Sequence, residues 1–197
     1  MTDAAAFAAC VAAGGVAVFP ADTVYGLACA PGDAAAVRRL YALKGRPPDK
    51  PAAVMFFALA PALAALPELG PRTRTALARL LPGGVTLLLA NPAGRFPLAC
   101  GPEPATLGLR VPVLPALSAV RRPVLQSSAN RAGGADAREL REVPREIRDG
   151  ADLVVDGGRL PGTPSTVVDL RRFELDGSWK VLRNGAVAPA QVATVLA

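Results

Sequence analysis

Apolar and polar residues change spacing repeatedly along this chain, from helical to strand-like and back. Residues 3–13 carry apolar side chains at helical intervals, with Thr2 available as a cap, and 16–19 form a short apolar run expected to be a buried strand. After a corner at 20–23 comes a second strand-like run, 24–29. Val37, Leu40 and Tyr41 recur at spacings of three and four and predict a helix over 33–43. Residues 52–57 are apolar throughout and read as a core strand, whereas 72–81 read as a helix stopped by Pro82-Gly83-Gly84. Further strands are expected at 85–89, 107–111, 124–127, 153–156, 166–170 and 179–183, and a closing helix at 189–196.

This alternation predicts an α/β fold with a large sheet, in one domain over residues 1–197. Two Gly/Pro/Ala-rich loops, 91–104 and 131–137, are long enough to move over a site. Residues 138–149 interleave Arg and Glu and read as an exposed helix face laced with ion pairs.

Composition narrows the function classes. With 51% hydrophobic and 19% charged residues the chain is no disordered tail, and 20 prolines with 19 glycines imply many short connections. The net charge is +6, yet residues 1–37 hold Asp3, Asp22 and Asp33 and no Lys or Arg, so every cation lies later. A basic balance suits RNA, an acidic membrane surface or a polyanionic small substrate. Cys10, Cys29 and Cys100 are too few and too widely spaced for a disulfide framework or a CxxC metal site, so a reducing, cytoplasmic location is expected. There is no basic leader and no run of about 18 apolar residues, so neither a signal peptide nor a membrane span is expected.

The absence of histidine is the strongest exclusion. It removes Ser/His and Cys/His nucleophile pairs, a His-bearing zinc site and imidazole acid–base catalysis together. Cations, hydroxyls, backbone amides and a ligand-carried magnesium remain, the usual equipment of phosphoryl and nucleotidyl transfer. Neither GxxxxGK[ST] nor GxGxxG occurs, so a nucleotide site has to be assembled from dispersed pieces.

Several pieces qualify. Lys44, Arg46 and Lys50 fall within seven positions, on a backbone fixed by Gly45, Pro47, Pro48 and Pro51 and offset only by Asp49, which suits phosphate as well as a bare basic loop. Asp22, Thr23 and Tyr25 stand at a strand end before Gly26, an arrangement fit for binding or for a capped turn. The apolar strand at 124 runs into Gln126, Ser127, Ser128 and Asn130, a phosphate or ribose cradle or else an N-cap cluster. Ser165 and Arg183 also stand at strand ends. Arg110 is the odd cation in an apolar strand and needs a partner there, either a structural carboxylate or a bound anion.

Taken in order, Asp22-Thr23-Val24-Tyr25-Gly26-Leu27, Lys44-Gly45-Arg46-Pro47 with Lys50-Pro51, Pro82-Gly83-Gly84-Val85-Thr86-Leu87, Arg110-Val111-Pro112, Ser128-Ala129-Asn130, Ser165-Thr166-Val167-Val168-Asp169 and Arg183-Asn184-Gly185 resemble the YrdC-like family of threonylcarbamoyl-AMP synthases, in its short single-domain form. The resemblance implies a twisted mixed sheet flanked by helices, with a concave basic cleft. It implies synthesis of threonylcarbamoyl-adenylate and pyrophosphate from L-threonine, bicarbonate and ATP, with Mg2+ carried by the ATP phosphates and no protein metal site. A separate transferase would then use the product to modify an adenosine beside the tRNA anticodon, so a contact with RNA is also implied.

Carried over by position, Lys44, Arg46 and Lys50 take the catalytic role at the phosphates. Arg46, Lys50, Thr106, Ser128, Asn130 and Arg183 bind ATP, and Thr23, Arg110, Gln126 and Ser165 bind threonine. The resemblance puts a frequent histidine where Met55 stands, near the expected amino-acid pocket, and another where Leu114 stands in the Arg110-Val111-Pro112 segment, and Asp136 replaces a small hydroxyl residue near ATP. Altered threonine affinity or selectivity follows from the first two, and repulsion of phosphate from the third. A non-catalytic RNA- or ribosome-binding module, and carbamoyl transfer of the hydrogenase-maturation type, are the alternatives.

Overall fold

The computed structural model describes residues 3–197, so the cap expected of Thr2 lies outside the described residues. Helix α1 (Asp3–Ala12) leads to β1 (Ala17–Pro20) and β2 (Tyr25–Cys29). Helix α2 (Ala34–Lys44) starts on Asp33, whose carboxylate accepts from the N–H groups of Ala35 and Ala36. It stops at Gly45, which takes the left-handed conformation (φ 60°) that glycine adopts without steric cost. Lys44 is therefore the last residue of a helix and not part of a basic loop.

Next come β3 (Ala53–Met55), α3 (Leu59–Ala65), α4 (Pro71–Leu80), β4 (Val85–Ala90), α5 (Pro97–Cys100) and β5 (Thr106–Arg110). The chain closes with β6 (Val124–Ser128), α6 (Arg145–Gly150), β7 (Leu153–Val154), β8 (Thr166–Asp169), α7 (Phe173–Asp176), β9 (Lys180–Arg183) and α8 (Pro189–Leu196). Helices α3, α5 and α7 were not expected. The first is all Leu, Ala and Pro and so shows no polar face, and the other two span four residues each. The helix expected over 138–149 is a 3-10 turn at Leu140–Glu142 followed by α6, because Pro144 lacks an N–H and keeps Val143 extended. The ion pairs expected there exist, including Arg145 to Asp149 at 3.1 Å and Arg141 to Glu139 at 2.7 Å.

Among the described residues the strands form one mixed sheet in the order β7-β1-β2-β6-β3-β5-β4-β8-β9. Pairs β1–β7, β3–β5 and β4–β8 are parallel, and the others antiparallel. Alternation along each strand sorts the side chains onto two faces. One carries Leu27, Val54, Leu87, Leu109 and Leu125 into the main core, with Leu40 of α2, Leu77 of α4, Ile147 of α6 and Val192 of α8. The other is covered only at one end, where Phe19, Met55 and Val124 pack with Phe7 of α1, Phe57 and Leu117. Phe7 meets Phe19 and Phe57 edge-on at 5.2 and 5.7 Å between ring centroids.

The uncovered half of that face is where a site can form. Its positions in β3, β4 and β5 are Ala53, Thr86, Leu88, Thr106, Gly108 and Arg110, mostly too small or too polar to bury a helix. The neighbouring loop 91–104 is stapled in place. Buried Asn91 donates to the carbonyls of Arg95 (3.0 Å) and Pro104 (2.8 Å) and accepts from the N–H of Arg95 (2.9 Å), and Ala99 O accepts from Ala52 N at 2.9 Å. No helix of the described residues is long and apolar enough to cross a membrane.

Candidate active site

A cleft of about 340 Å3 opens on this half-covered face. Its floor is a row of paired residues, Gln126, Ala53, Gly108 and Leu88, on four adjacent strands. The two in the middle are small, and this is what gives the cleft depth. A Cβ on Gly108 would lie 3.3 Å from Ala53 Cα and point into the space. Gly108→Val should therefore weaken binding of a non-hydrolysable ATP analogue by at least about tenfold while the protein stays folded. Fluorescence titration checks this, and an unchanged affinity would place the nucleotide elsewhere.

One end of the cleft is a polar corner. Arg110, only 3% exposed, donates from Nη2 to the Asp22 carboxylate and to Thr23 Oγ1, the latter at 3.0 Å. Asp22 also accepts from the Val113 N–H at 3.3 Å. Burial pushes the Asp22 carboxyl up, and Arg110 opposes that shift. Beside this pair, Ser165 Oγ and Thr86 Oγ1 are 2.8 Å apart, and Arg183 reaches across to Ser165 O (2.8 Å) and Ser165 Oγ (3.2 Å). Burial lowers the Arg110 guanidinium pKa, Asp22 raises it, and Arg183 lowers it further. Two guanidiniums against a single carboxylate, paired with Arg110, leave this corner attractive to an anion.

The other end is built on α2 and the segment after it. Arg46 enters the cleft wall with Nη2 on Pro51 O at 2.5 Å and its guanidinium 5.8 Å from the Tyr41 ring centroid. Tyr41 in turn donates to Lys50 O at 2.9 Å, so both turns of the segment are tied to the helix. Ser128 faces the same space and donates to Asn130 Oδ1 at 2.7 Å.

Of the residues expected to bind substrate, Thr23, Arg46, Thr106 and Arg110 line this one cleft, as do Gln126, Ser128, Ser165 and Arg183. Lys44, Lys50 and Asn130 do not. Lys44 is 3% exposed, and its ammonium is surrounded by Ser128 O (2.7 Å), Ser128 Oγ (3.3 Å), Asn130 O (2.9 Å) and Asn130 Oδ1 (2.5 Å). It sits beneath the Ser128 turn and holds it, with Asn130 as the bracket between them. Burial, and then Arg46, bring its pKa down to about 8, while Asp136 opposes. Lys50 is exposed on the loop outside the lining.

The model of the Sua5/YciO/YrdC domain, described as Telomere recombination, matches residues 9–185. The chain belongs to this family. It is 34% identical over 170 residues to the threonylcarbamoyl-AMP synthase of Stutzerimonas stutzeri, covering 84% of this chain and 91% of that protein. The human protein of the same name is 31% identical over 196 residues, covering 92% of this chain and 66% of that one. The solved structure of P. abyssi Sua5 complexed with L-threonine aligns with a TM-score of 0.84 at 26% identity, over 96% of this chain and 56% of that one. The chain thus spans just over half the length of that Sua5.

In this Sua5/YciO/YrdC domain Met55 is paired with Arg110 across β3 and β5 and so borders the polar corner without lining the cleft. Met55 is fully buried among the phenylalanines of the smaller core, with Leu114 packed on the same cluster, and neither lines the cleft. Both residues thus fall in a single apolar cluster. Asp136 does line the cleft, at the Arg46 end, and Glu103 of the stapled loop also lines it, paired with Arg171 at 3.6 Å. Among the described residues no three His, Cys, Asp or Glu side chains are grouped to hold a metal ion. Sequence reasoning missed Glu103, Gly108 and the part Thr86 plays with Ser165. Strict alternation in Thr106-Leu107-Gly108-Leu109-Arg110 was the available signal for Gly108, since it puts Gly108 on the same face as Arg110.

Proposed function

We infer that this chain is a threonylcarbamoyl-AMP synthase, a nucleotidyltransferase that joins L-threonine, bicarbonate and ATP and releases pyrophosphate. The observation that carries the reading is the cleft's two ends: an Arg110–Thr23–Ser165 corner suited to an amino acid, and an Arg46–Ser128 end suited to phosphates, across a floor without bulky side chains in its middle. Relatives of that name that align over nearly the whole chain favour this reading over an RNA-binding module or a carbamoyl transferase.

In this mechanism the threonine carboxylate lies on Arg110, with the Ser165 and Thr86 hydroxyls beside it. The neutral amine of threonine adds to CO2 supplied by bicarbonate and sheds a proton to solvent, leaving a carbamate. A carbamate oxygen then forms a bond to the α-phosphorus while the bond to the β-phosphate bridging oxygen breaks, and pyrophosphate leaves with that electron pair. Magnesium belongs to the nucleotide substrate and offsets charge on its phosphates. The chain itself contributes positioning, and positive charge from Arg46 where the leaving group develops charge. No histidine is needed, because no step calls for a side-chain base. The product is a mixed anhydride, which a transferase acting on an RNA adenosine would consume.

Incubation with ATP, magnesium, labelled bicarbonate and threonine should give labelled adenylate and pyrophosphate, and omitting threonine should abolish both. A folded sample that binds ATP and yields no labelled adenylate overturns the assignment.

A further inference from the structure

The buried guanidinium of Arg110 has an uneven set of partners. Nη2 is shared by the Asp22 carboxylate and the Thr23 hydroxyl, whereas Nε is buried without a partner. That leaves Nη1 as the end free to meet a ligand from the cleft that Arg110 lines. Asp22 itself is absent from the cleft lining. Its side chain is 9% exposed and lies behind Arg110, where Val113 N–H fixes its other oxygen. A guanidinium held by one nitrogen from behind cannot swing toward solvent or toward Arg183, whose like charge already acts on it.

We propose that Asp22 is a positioning residue for the amino-acid end of the cleft: it pins Arg110 through Nη2 so that Nη1 faces the substrate carboxylate. Asp22 touches no substrate. The inference rests on the synthase reading above. Two physical roles can be separated, because a simple counter-charge would compete with the ligand for Arg110, whereas a positioning group would help it bind. Asp22→Asn keeps an oxygen for Nη2 and removes the charge, and Asp22→Ala removes both.

Threonine is titrated calorimetrically into wild type and both variants, with a non-hydrolysable ATP analogue titrated in parallel and folding checked by circular dichroism. Positioning predicts that Asp22→Asn binds threonine within about threefold of wild type and that Asp22→Ala loses at least about tenfold, with affinity for the analogue unchanged in both. In turnover the loss in Asp22→Ala should fall on the KM for threonine and spare the KM for ATP. Should Asp22→Ala fail to fold, Asp22→Ser, too short to reach Nη2, replaces it with the same expectation. Threonine binding that is unchanged or tighter in the truncated variant overturns the proposal, as does equal loss of threonine and analogue. A wild type that binds the analogue but no threonine defeats the synthase reading, and the proposal with it. A wild type that binds threonine beside an Asp22 series without effect defeats the proposal alone.

Discussion

Replacing Lys44 by methionine should lower ATP-dependent turnover by about a hundredfold or more and destabilise the protein by about 2–4 kcal/mol. The side chain fits a methionine in length, so the loss comes from the oxygens left behind. Two backbone carbonyls, the Ser128 hydroxyl and the Asn130 amide surround the ammonium; all four lose its charged donor, and of them the amide oxygen keeps the Ser128 hydroxyl as a donor. Freed of that anchor, the Ser128 turn should shift at the end of the cleft proposed to take the phosphates. The pH dependence is a separate check. With its pKa brought from 10.5 to about 8, Lys44 loses its proton as pH rises through 8, and activity should fall along that limb.

Stability responds in the opposite sense. Between about 8 and 10.5 the unfolded chain holds a proton at Lys44 that the folded one has shed, so this group's contribution to stability increases with pH across the window. Below 8 the group is charged in both states and its burial cost is constant. An alkaline fall in rate without a parallel fall in melting temperature is the expected pattern. Lys44→Arg, which stays charged, should remove the limb, and a limb that persists in that variant would falsify the assignment.

Arg46→Ala should reduce kcat/KM for ATP by about 10²- to 10³-fold with little change in thermal stability. Arg46 is half-buried but reaches the cleft wall, and its restraints are local: the Pro51 carbonyl, the Tyr41 ring and its own N–H on Tyr41 O at 2.9 Å. Truncation removes the contact proposed for the phosphates while the main chain between Gly45 and Pro51 keeps its tie from Tyr41 to Lys50. Arg46→Lys should rescue poorly, because a flexible ammonium cannot span Pro51 O and a phosphate as a planar fork does. Steady-state kinetics over a range of ATP concentrations measure both. Near-normal ATP kinetics in Arg46→Ala would show that the phosphates rest on another part of the cleft.

Much of this site can be read along the chain, because its parts lie at strand ends, where a change from apolar to polar residues is visible locally. Thr23, Ser128, Ser165 and Arg183 stand out that way, and Arg110 does so as a cation in an apolar strand. What cannot be read is direction. Lys44, Arg46 and Lys50 look equivalent in sequence, yet α2 runs one residue further than its apolar spacing suggests and turns Lys44 under the Ser128 strand end. Met55 lies two residues past Ala53 on the same face, but α1 covers the face at Met55 and leaves it bare at Ala53. That difference depends on a helix more than forty positions earlier in the chain, and no local pattern encodes it. The stapling of loop 91–104 by Asn91 is equally remote from composition, which reports only length and flexibility.

The bare floor made by Ala53 and Gly108 ties catalysis to strand alignment. Neighbouring positions along β3 and β5 are Val54, Leu107 and Leu109, all directed at the main core. A slip of one residue in either strand would exchange the two sets, fill the cleft with branched side chains and leave a void on the opposite side. Catalytic turnover by this protein is thus also a measure of correct pairing at the centre of its sheet, and a misaligned molecule, however compact, would be silent.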